Sequence, residues 1–530
     1  MSLVPRVKKL VSETAIYGIS SVVGRLITFL LVPFYTQFFA PDVYGVVILI
    51  YTAFVFLNIV YTYGFESAYL KFASGSEGRE KAREAFSAAT WSLLLTSVLL
   101  SLVLVSMKGA VVATIGIEAR WFHLVYYAVA ILTLDTLGVV PFAELRLSNR
   151  PLMFAGIKLA NIVTNVGLNV FLIVGLDWGI EAIFVANLSA SALSIVLLLP
   201  LYVRLLRPHF NVALWKKMLG FALPFLPGGL GYALTDRVNL FFLGRMSREN
   251  VLRLYGDQID TAQLADRASA VATKTSGVTA ETAQQVTDAV YGQYVAGTFG
   301  TIWKLGIFMM LLVQMFRFAW QPFFLQHAED EDARPLFARI FTLFTVAALF
   351  VLLGVSFFAE ELVAIPLPGG RTLIERSYWL GLSVVPIALV AYFFQGWYYN
   401  FSAGAYITSK TRYFIHSTVA GGLVAVVLNA AFVPTYGMIA AAWSTAAAYA
   451  VMALVLGVIM YRHYPLPYEW ARVGGLLVLA GCLFGVWEFW TPQSLPWEFG
   501  LLLVFGLGAA AFGLVPWRRV LSGSDSRGPA

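Results

Sequence analysis

Seven charged side chains sit inside stretches that are otherwise apolar: Arg25, Lys158, Arg237, Lys304 and Arg317 are basic, Asp135 and Asp236 acidic. At membrane depth an ionised group costs at least about 2.5–3.5 kcal/mol unless a cavity or a partner receives it. Arg317 stands at the end of its stretch and can snorkel out, which leaves Arg25, Lys158, Arg237 and Lys304 as candidate ligands. Basic side chains around a watery interior suit an anion, and the guanidinium fork matches phosphate oxygens two at a time. Asp135 is the carboxylate best placed for ion coupling, because a carboxylate in a low-dielectric site can exchange a proton as its access to water alternates. Asp236 is the second candidate for that role. Neighbours on a helix diverge by about 100°, so Asp236 is not expected to neutralise Arg237. A structural ion pair is the competing reading throughout. It weighs more for Asp135, Lys158 and Lys304 than for Arg25 and Arg237, which hold corresponding places in the first helix of each half.

The stretch carrying Arg237 is itself unusual. Residues 220–244 are long enough to cross a bilayer, yet they contain Pro224, Pro227, Gly228, Gly229 and Gly231 ahead of Asp236-Arg237. Backbone groups freed by proline and glycine survive at membrane depth only where protein or a watery cavity satisfies them. A loosened, charged helix among greasy ones reads as the wall of a transport path.

The rest of the chain must position that wall. Of its 530 residues 59% are hydrophobic and 12% charged, against about 25% charged in soluble domains. The fold class is therefore an all-α polytopic membrane protein. Apolar runs of roughly 20 residues, the length that crosses a bilayer, number about 14. They fall near 14–38, 44–66, 85–107, 121–143, 152–174, 181–201, 218–243, 293–318, 338–358, 378–401, 414–433, 438–460, 472–490 and 499–516. With the N-terminus inside, the inner segments hold about 22 Lys and Arg and the short outer loops about 4. The positive-inside rule then places both termini in the cytoplasm. The formal charge of +7 has the same origin and calls for no nucleic acid. Cys482 is the single cysteine, so neither a disulfide framework nor a thiolate metal site is expected. No HExxH, GxSxG or Walker loop appears.

One long segment is not apolar. Residues 245–289 suggest two helices, Arg248–Ala272 and Thr279–Ala289, with Thr279 as N-cap and a break at Ser276-Gly277. They form an outer helical insert. Internal similarity frames the remainder: Asn149-Arg150 before the fifth span parallels Thr411-Arg412 before the eleventh. The turn Leu176-Asp177-Trp178-Gly179-Ile180 likewise parallels Pro434-Thr435-Tyr436-Gly437-Met438, at an offset of roughly 260. The expected architecture is two six-helix lobes related by a pseudo-twofold normal to the membrane, with the substrate site between them. The N-terminal lobe is 1–217 and the C-terminal lobe 218–470 with its insert. Residues 471–530 add two C-terminal helices and a cytoplasmic tail.

These features resemble the polysaccharide-export and lipid-linked oligosaccharide flippases, within the superfamily that joins them to multidrug and toxin extruders. The similar stretches are Tyr17-Gly18-Ile19-Ser20, Pro33-Phe34-Tyr35-Thr36, Tyr44-Gly45, Ala222-Leu223-Pro224, Asp236-Arg237, Ala319-Trp320-Gln321-Pro322-Phe323, Lys410-Thr411-Arg412 and Pro434-Thr435-Tyr436-Gly437. The family has a tight turn and a Gly-x-Tyr after span seven; here the insert intervenes and Val290-Tyr291-Gly292 follows.

The resemblance implies a flippase of the bacterial cytoplasmic membrane. It would move an undecaprenyl-diphosphate-linked oligosaccharide outward by alternating access, for surface polysaccharide biosynthesis. A basic lumen of Arg25, Arg237, Lys158 and Lys304 would hold the diphosphate and sugars, while Asp135 and Asp236 would serve a coupling proton or sodium ion, with no other cofactor. Tyr35, Trp320, Trp397 and Tyr398 could stack on sugar rings, and a polysaccharide polymerase or copolymerase is an expected partner. Two alternatives remain at this point. A drug extruder of the same superfamily would want carboxylates in its lumen. A membrane polymerase or ligase would want a large outer loop with Arg or His; the insert has Arg248, Arg253 and Arg267 but no histidine.

Overall fold

The computed structural model describes residues 26–27, 29–74, 79–274, 280–490 and 494–511; of the seven charged candidates only Arg25 lies outside them. Among the described residues, eleven helices are long and apolar enough to cross a membrane. One of these, Tyr413–His463 (51 residues), is two spans. A straight helix of that length would separate its ends by about 75 Å, yet the rings of Tyr413 and His463 are 5.3 Å apart. The chain folds back at Gly437, whose φ of 59° and ψ of −131° interrupt the helix. The shorter apolar helices Phe29–Phe38 and Leu495–Ala511 fall in the first and last of the expected spans; most of the first lies outside the described residues.

The N-terminal lobe comprises α1 (Phe29–Phe38), α2 (Pro41–Thr62), α3 (Phe65–Ser74), α4 (Arg79–Ser106), α5 (Lys108–Ile115), α6 (Leu124–Leu147), α7 (Pro151–Val170) and α8 (Glu181–Leu205). The seventh span is broken into α9 (Val212–Ala222) and α10 (Phe225–Leu243) at Leu223-Pro224. The two pieces serve different lobes. Asn211 caps α9 by accepting from the Leu214 amide at 3.0 Å, and Trp215 Nε1 donates to Ser92 Oγ of α4 at 2.8 Å. Met218 and Ala222 are buried among Tyr69, Phe86 and Ala89 of α3 and α4. By contrast α10 runs along the folded-back pair Tyr413–His463, called α18 here. A Cβ at Gly231 would stand 2.8 Å from the Thr418 backbone, so the glycines of this span serve close helix contact as well as softness. Pro227 falls in the first turn of α10, where its missing N–H costs nothing.

The C-terminal lobe continues through α11 (Arg248–Tyr255), α12 (Thr261–Lys274), α13 (Ala280–Trp303), α14 (Ile307–Gln326), α15 (Ala333–Phe357), α16 (Ala359–Ala364) and α17 (Val385–Ile407) to α18. The added helices are α19 (Trp470–Trp490) and α20 (Leu495–Ala511), which pack on each other and on α15.

The repeat is visible in backbone geometry. Asn149 and Ser409 both take φ of 55°, and Asp177 and Gly437 take 54° and 59°, each pair 260 residues apart. Both helix ends close in the same Schellman pattern: Arg150 N–H donates to Leu145 O and Lys410 N–H to Ala405 O, each at 2.8 Å. The geometric partner of Asn149-Arg150 is therefore Ser409-Lys410, two residues before the match suggested by the arginines.

The insert differs from expectation. Arg248–Ala272 is not one helix: it stops at Tyr255, and Asp260 starts a new one by accepting from the Gln263 amide at 2.9 Å. Thr279 lies outside the described residues, and from Ala280 the helix runs unbroken into the eighth span. The hydroxyl of Tyr255 accepts from the Met438 amide at 2.7 Å, filling the corner that a side chain at Gly437 would occupy. Arg253 donates to Pro434 O at 2.9 Å, while Arg267 of α12 pairs with Asp42 of α2 at 2.8 Å. The insert thus lies across both lobes on the side that loop charges assign as outer.

Candidate functional site

A cavity of about 470 Å³ lies between the lobes, walled by α1, α2, α7, α8, α10 and α13. Tyr44 and Tyr51 face it from α2, seven residues and so two turns apart, with Tyr35 beside them on α1. Asn161 and Asn165, one turn apart, face it from α7 and Asn187 from α8. The C-terminal lobe contributes Arg237 and Lys304.

Lys304 reaches the cavity because the eighth span breaks there. A single 3₁₀ turn, Lys304–Gly306, separates α13 from α14. Gly306 permits it: a Cβ there would stand 2.8 Å from the Tyr392 ring. The Lys304 ammonium donates to the Tyr44 hydroxyl at 3.0 Å and lies 5.2 Å from the centre of that ring. Among the described residues no carboxylate is within ion-pair reach of it.

Arg237 is different. Its Nε stands 2.7 Å from Asp236 Oδ2, although that N–H is not aimed well enough to count as a hydrogen bond. The expectation that adjacent residues point too far apart to pair was wrong. Their Cβ directions diverge, but a long arginine chain can fold back onto a neighbouring carboxylate. The other Asp236 oxygen accepts from the Tyr449 hydroxyl at 2.8 Å. Gln395 in turn donates to Tyr449 at 3.2 Å and to Tyr232 at 2.5 Å. Asp236 is thus held as the counter-ion of Arg237.

Residues 35–287 match the family model described as Polysaccharide biosynthesis protein. The whole chain superposes on MurJ, a lipid II flippase in an inward closed conformation, with a TM-score of 0.66 at 12% identity, covering 95% of this chain and 99% of that one. An inward-facing multidrug resistance MATE family transporter of the MOP superfamily gives 0.60 at 13%, covering 83% and 97%. A MOP superfamily transporter from Pyrococcus furiosus, described with a binding pocket of reverse polarity, gives 0.52 at 13%, covering 85% and 95%. No curated protein sequence matches the chain. The chain shares the fold of these transporters. The resemblance carried by the short motifs is borne out.

Within this fold the sequence candidates separate into two groups. Arg237 and Lys304 meet at the cavity between the lobes, with Asp236 paired to Arg237 outside the lining. Asp135 and Lys158 stand together on the N-terminal lobe, outside the lining of that cavity. Ser191 Oγ donates to Asp135 Oδ1 at 2.7 Å, and the charges of Asp135 and Lys158 interact. The Lys158 ammonium lies 4.1 Å from the Phe142 ring centre. Arg25 is outside the described residues.

Of the aromatic candidates, Tyr35 lines the cavity. Trp397 is in the lobe core, donating to Thr345 Oγ1 at 3.2 Å, and Trp320 stacks on Phe316 and on Phe323. Both tryptophans are buried, and neither lines this cavity.

The uncharged half of the site was missed. Asn161, Asn165 and Asn169 recur every four residues along α7, and Tyr44 and Tyr51 recur at seven on α2. A search for amides and hydroxyls at helical spacing inside apolar runs would have found both stripes.

Proposed function

We propose that the chain is a flippase that carries an undecaprenyl-diphosphate-linked oligosaccharide across the bacterial cytoplasmic membrane by alternating access, for surface polysaccharide biosynthesis. One observation carries the reading: among the described residues, the cavity lining contains Lys304 and Arg237 but no Asp or Glu. Such a lining suits a phosphorylated headgroup, with asparagine amides and tyrosine hydroxyls for sugar hydroxyls. A cationic drug would be repelled from it, which weighs against the extruder. Nothing in the lining resembles a nucleophile–base pair, so transport is favoured over polymerase or ligase chemistry. Both termini would be cytoplasmic, and a polymerase or copolymerase would receive the product.

Asp135, Ser191 and Lys158 form the coupling site in this reading. A proton or sodium ion would bind the carboxylate in competition with the lysine.

The test is translocation of a defined lipid-linked glycan in proteoliposomes, with and without a proton or sodium gradient. Lys304→Gln is expected to cut the rate at least tenfold, since a charge-assisted contact to phosphate contributes about 1.5–3 kcal/mol. A wild-type rate in that variant, with glycan moved normally, would reduce Lys304 to a structural role. Asp135→Asn is expected to transport without responding to the gradient; an unaltered gradient response removes the coupling role.

A further inference from the structure

A second cavity lies below the first along α10. Gly228, Gly229 and Tyr232 face it, while Arg237 and Leu240 face the central one. At about 1.5 Å per residue, the two sets are separated by roughly one to two turns. The volume is about 690 Å³, and the walls are the joint of the seventh span, the inner half of α14, α17 and the start of α18.

On α14 the lining residues Arg317, Trp320, Gln321 and Phe324 follow one helical face. Arg317 is therefore not simply snorkelling: its guanidinium donates to the Tyr399 hydroxyl at 3.3 Å and packs 4.8 Å from that ring centre. Arg412 enters from the loop before α18. Its Nη2 approaches the Tyr413 hydroxyl at 3.5 Å. Among the described residues neither arginine has an ion-pair partner, and the lining holds no carboxylate. Two guanidinium groups without an ion-pair partner over a half-open pocket, with Gln321, Ser402 and Thr411 as further polar groups, form a receptor for a polyvalent anion bearing hydroxyls.

We infer that this pocket is a second anion site, where the sugar diphosphate headgroup of the lipid-linked glycan docks before it enters the central cavity. The inference rests on the flippase reading for its physiological ligand but not for its chemistry, which is diphosphate recognition by Arg317 and Arg412. The Tyr232–Gln395–Tyr449–Asp236 hydrogen-bond chain separates the two sites. The headgroup would pass that barrier in moving from one arginine set to the next.

The experiment measures binding to the full chain in nanodiscs with two probes, inorganic pyrophosphate and a short-chain prenyl-diphosphate disaccharide. Wild type is expected to bind the lipid-linked probe in two classes of site. The variant carrying Arg317→Gln and Arg412→Gln should weaken one class at least tenfold and keep the class sensitive to Lys304→Gln. Arg317→Lys with Arg412→Lys should recover part of the loss, which a folding defect would not. Isotherms identical in wild type and the double Gln variant overturn the inference. If the flippase reading fails instead, glycan is not moved by wild type, yet pyrophosphate still binds with dependence on Arg317 and Arg412. If only the docking pocket fails, wild type transports, Lys304→Gln does not, and the double Gln variant behaves as wild type.

Discussion

The two ends of the boundary between the lobes are built on opposite principles. On the insert side, α2 and α13 touch backbone to backbone. A Cβ at Gly45 would overlap the Gln293 carbonyl, and one at Gly297 would overlap that of Pro41. Polar ties cross the same seam: Gln293 Nε2 donates to Glu118 Oε2 at 2.9 Å, and the Tyr378 hydroxyl to Phe39 O at 2.7 Å. At the other end, among the described residues, α3, α4, α6 and α7 share no packed interface with α14 or α18. There the lobes are linked through α9 and the Leu223-Pro224 joint, with a side-chain contact of Ile59 on α2 against Gly229 on α10. One end is fitted too closely to slide, so it must either hold or part, whereas the other can vary its separation. That asymmetry belongs to a state closed on one side, which an alternating-access cycle must reverse.

Spoiling the seam should have the largest effect. Replacing Gly45 and Gly297 together by alanine inserts two methyl groups against main chain, where neither side can give way. Overpacking costs typically about 1–3 kcal/mol per site, enough to favour the parted state more than tenfold. Cys482 is the only native cysteine, so a Cys482→Ser background with Ile48→Cys at the cavity wall reports access directly. A membrane-impermeant maleimide added on the insert side should label at least tenfold faster in the double alanine variant. Equal labelling would mean that the seam is not what seals this side.

The Asp236–Arg237 pair lies between the two ends and tests whether it belongs to the path or to the scaffold. Arg237→Gln leaves Asp236 with only the Tyr449 hydroxyl. Fully buried pairs cost about 3–5 kcal/mol when halved; Arg237 is 32% exposed in its side chain, so about 2 kcal/mol is expected from denaturation in detergent. Adding Asp236→Asn should return most of that stability while transport stays low. Recovery of both together would assign the pair to folding alone.

How much of this was legible beforehand depends on whether the information is local. Hydrophobic run length is local, and it located the crossings, including the hairpin at Gly437. Turn chemistry is local too, so the repeat could be seen, though the arginines misled the register by two residues because side-chain identity is weaker than a left-handed backbone position. The first helix of the insert, Arg248–Ala272, was read straight through Gly256 and Asp260, although Asp260-Thr261 was itself a start signal. Pairing is not local. Helix geometry argued against an Asp236–Arg237 contact, and only a flexible side chain in a confined space produced it. The glycines of the seam gave no periodic signal that could reveal their partners across the boundary.

The staple between Arg267 and Asp42 should contribute less than the seam it covers. Its arginine is 38% exposed and its aspartate 6%, which places the pair near the surface range of about 0.2–1 kcal/mol. Arg267→Gln should raise the same Ile48→Cys labelling rate about two- to threefold at low salt, and less at 1 M salt, where screening shortens the electrostatic range to about 3 Å. An effect as large as that of the glycine variant would move the lock from the helices to the insert.

The smallest effect is expected where an ionic tie stays within one lobe. Glu469, between α18 and α19, accepts from Arg339 of α15 at 3.2 Å and also pairs with Arg472. Partial burial pushes its carboxyl upward, but the Thr342 hydroxyl and the two arginines outweigh that and hold it below the ordinary carboxylate value. A depressed folded-state value means that the stabilisation is complete above the unfolded-state range, at neutral pH, and disappears as pH falls through the lowered value. Because the site is open to solvent, the contribution should be about 0.5 kcal/mol or less. Glu469→Gln is therefore expected to lower Tm slightly at pH 7, to match wild type once both are measured at a pH below that lowered value, and to leave Ile48→Cys labelling unchanged at every pH. Labelling that followed this titration would show that a tie inside the C-terminal lobe controls the parting of the two lobes, and the division between a locking seam and a free inner end would have to be abandoned.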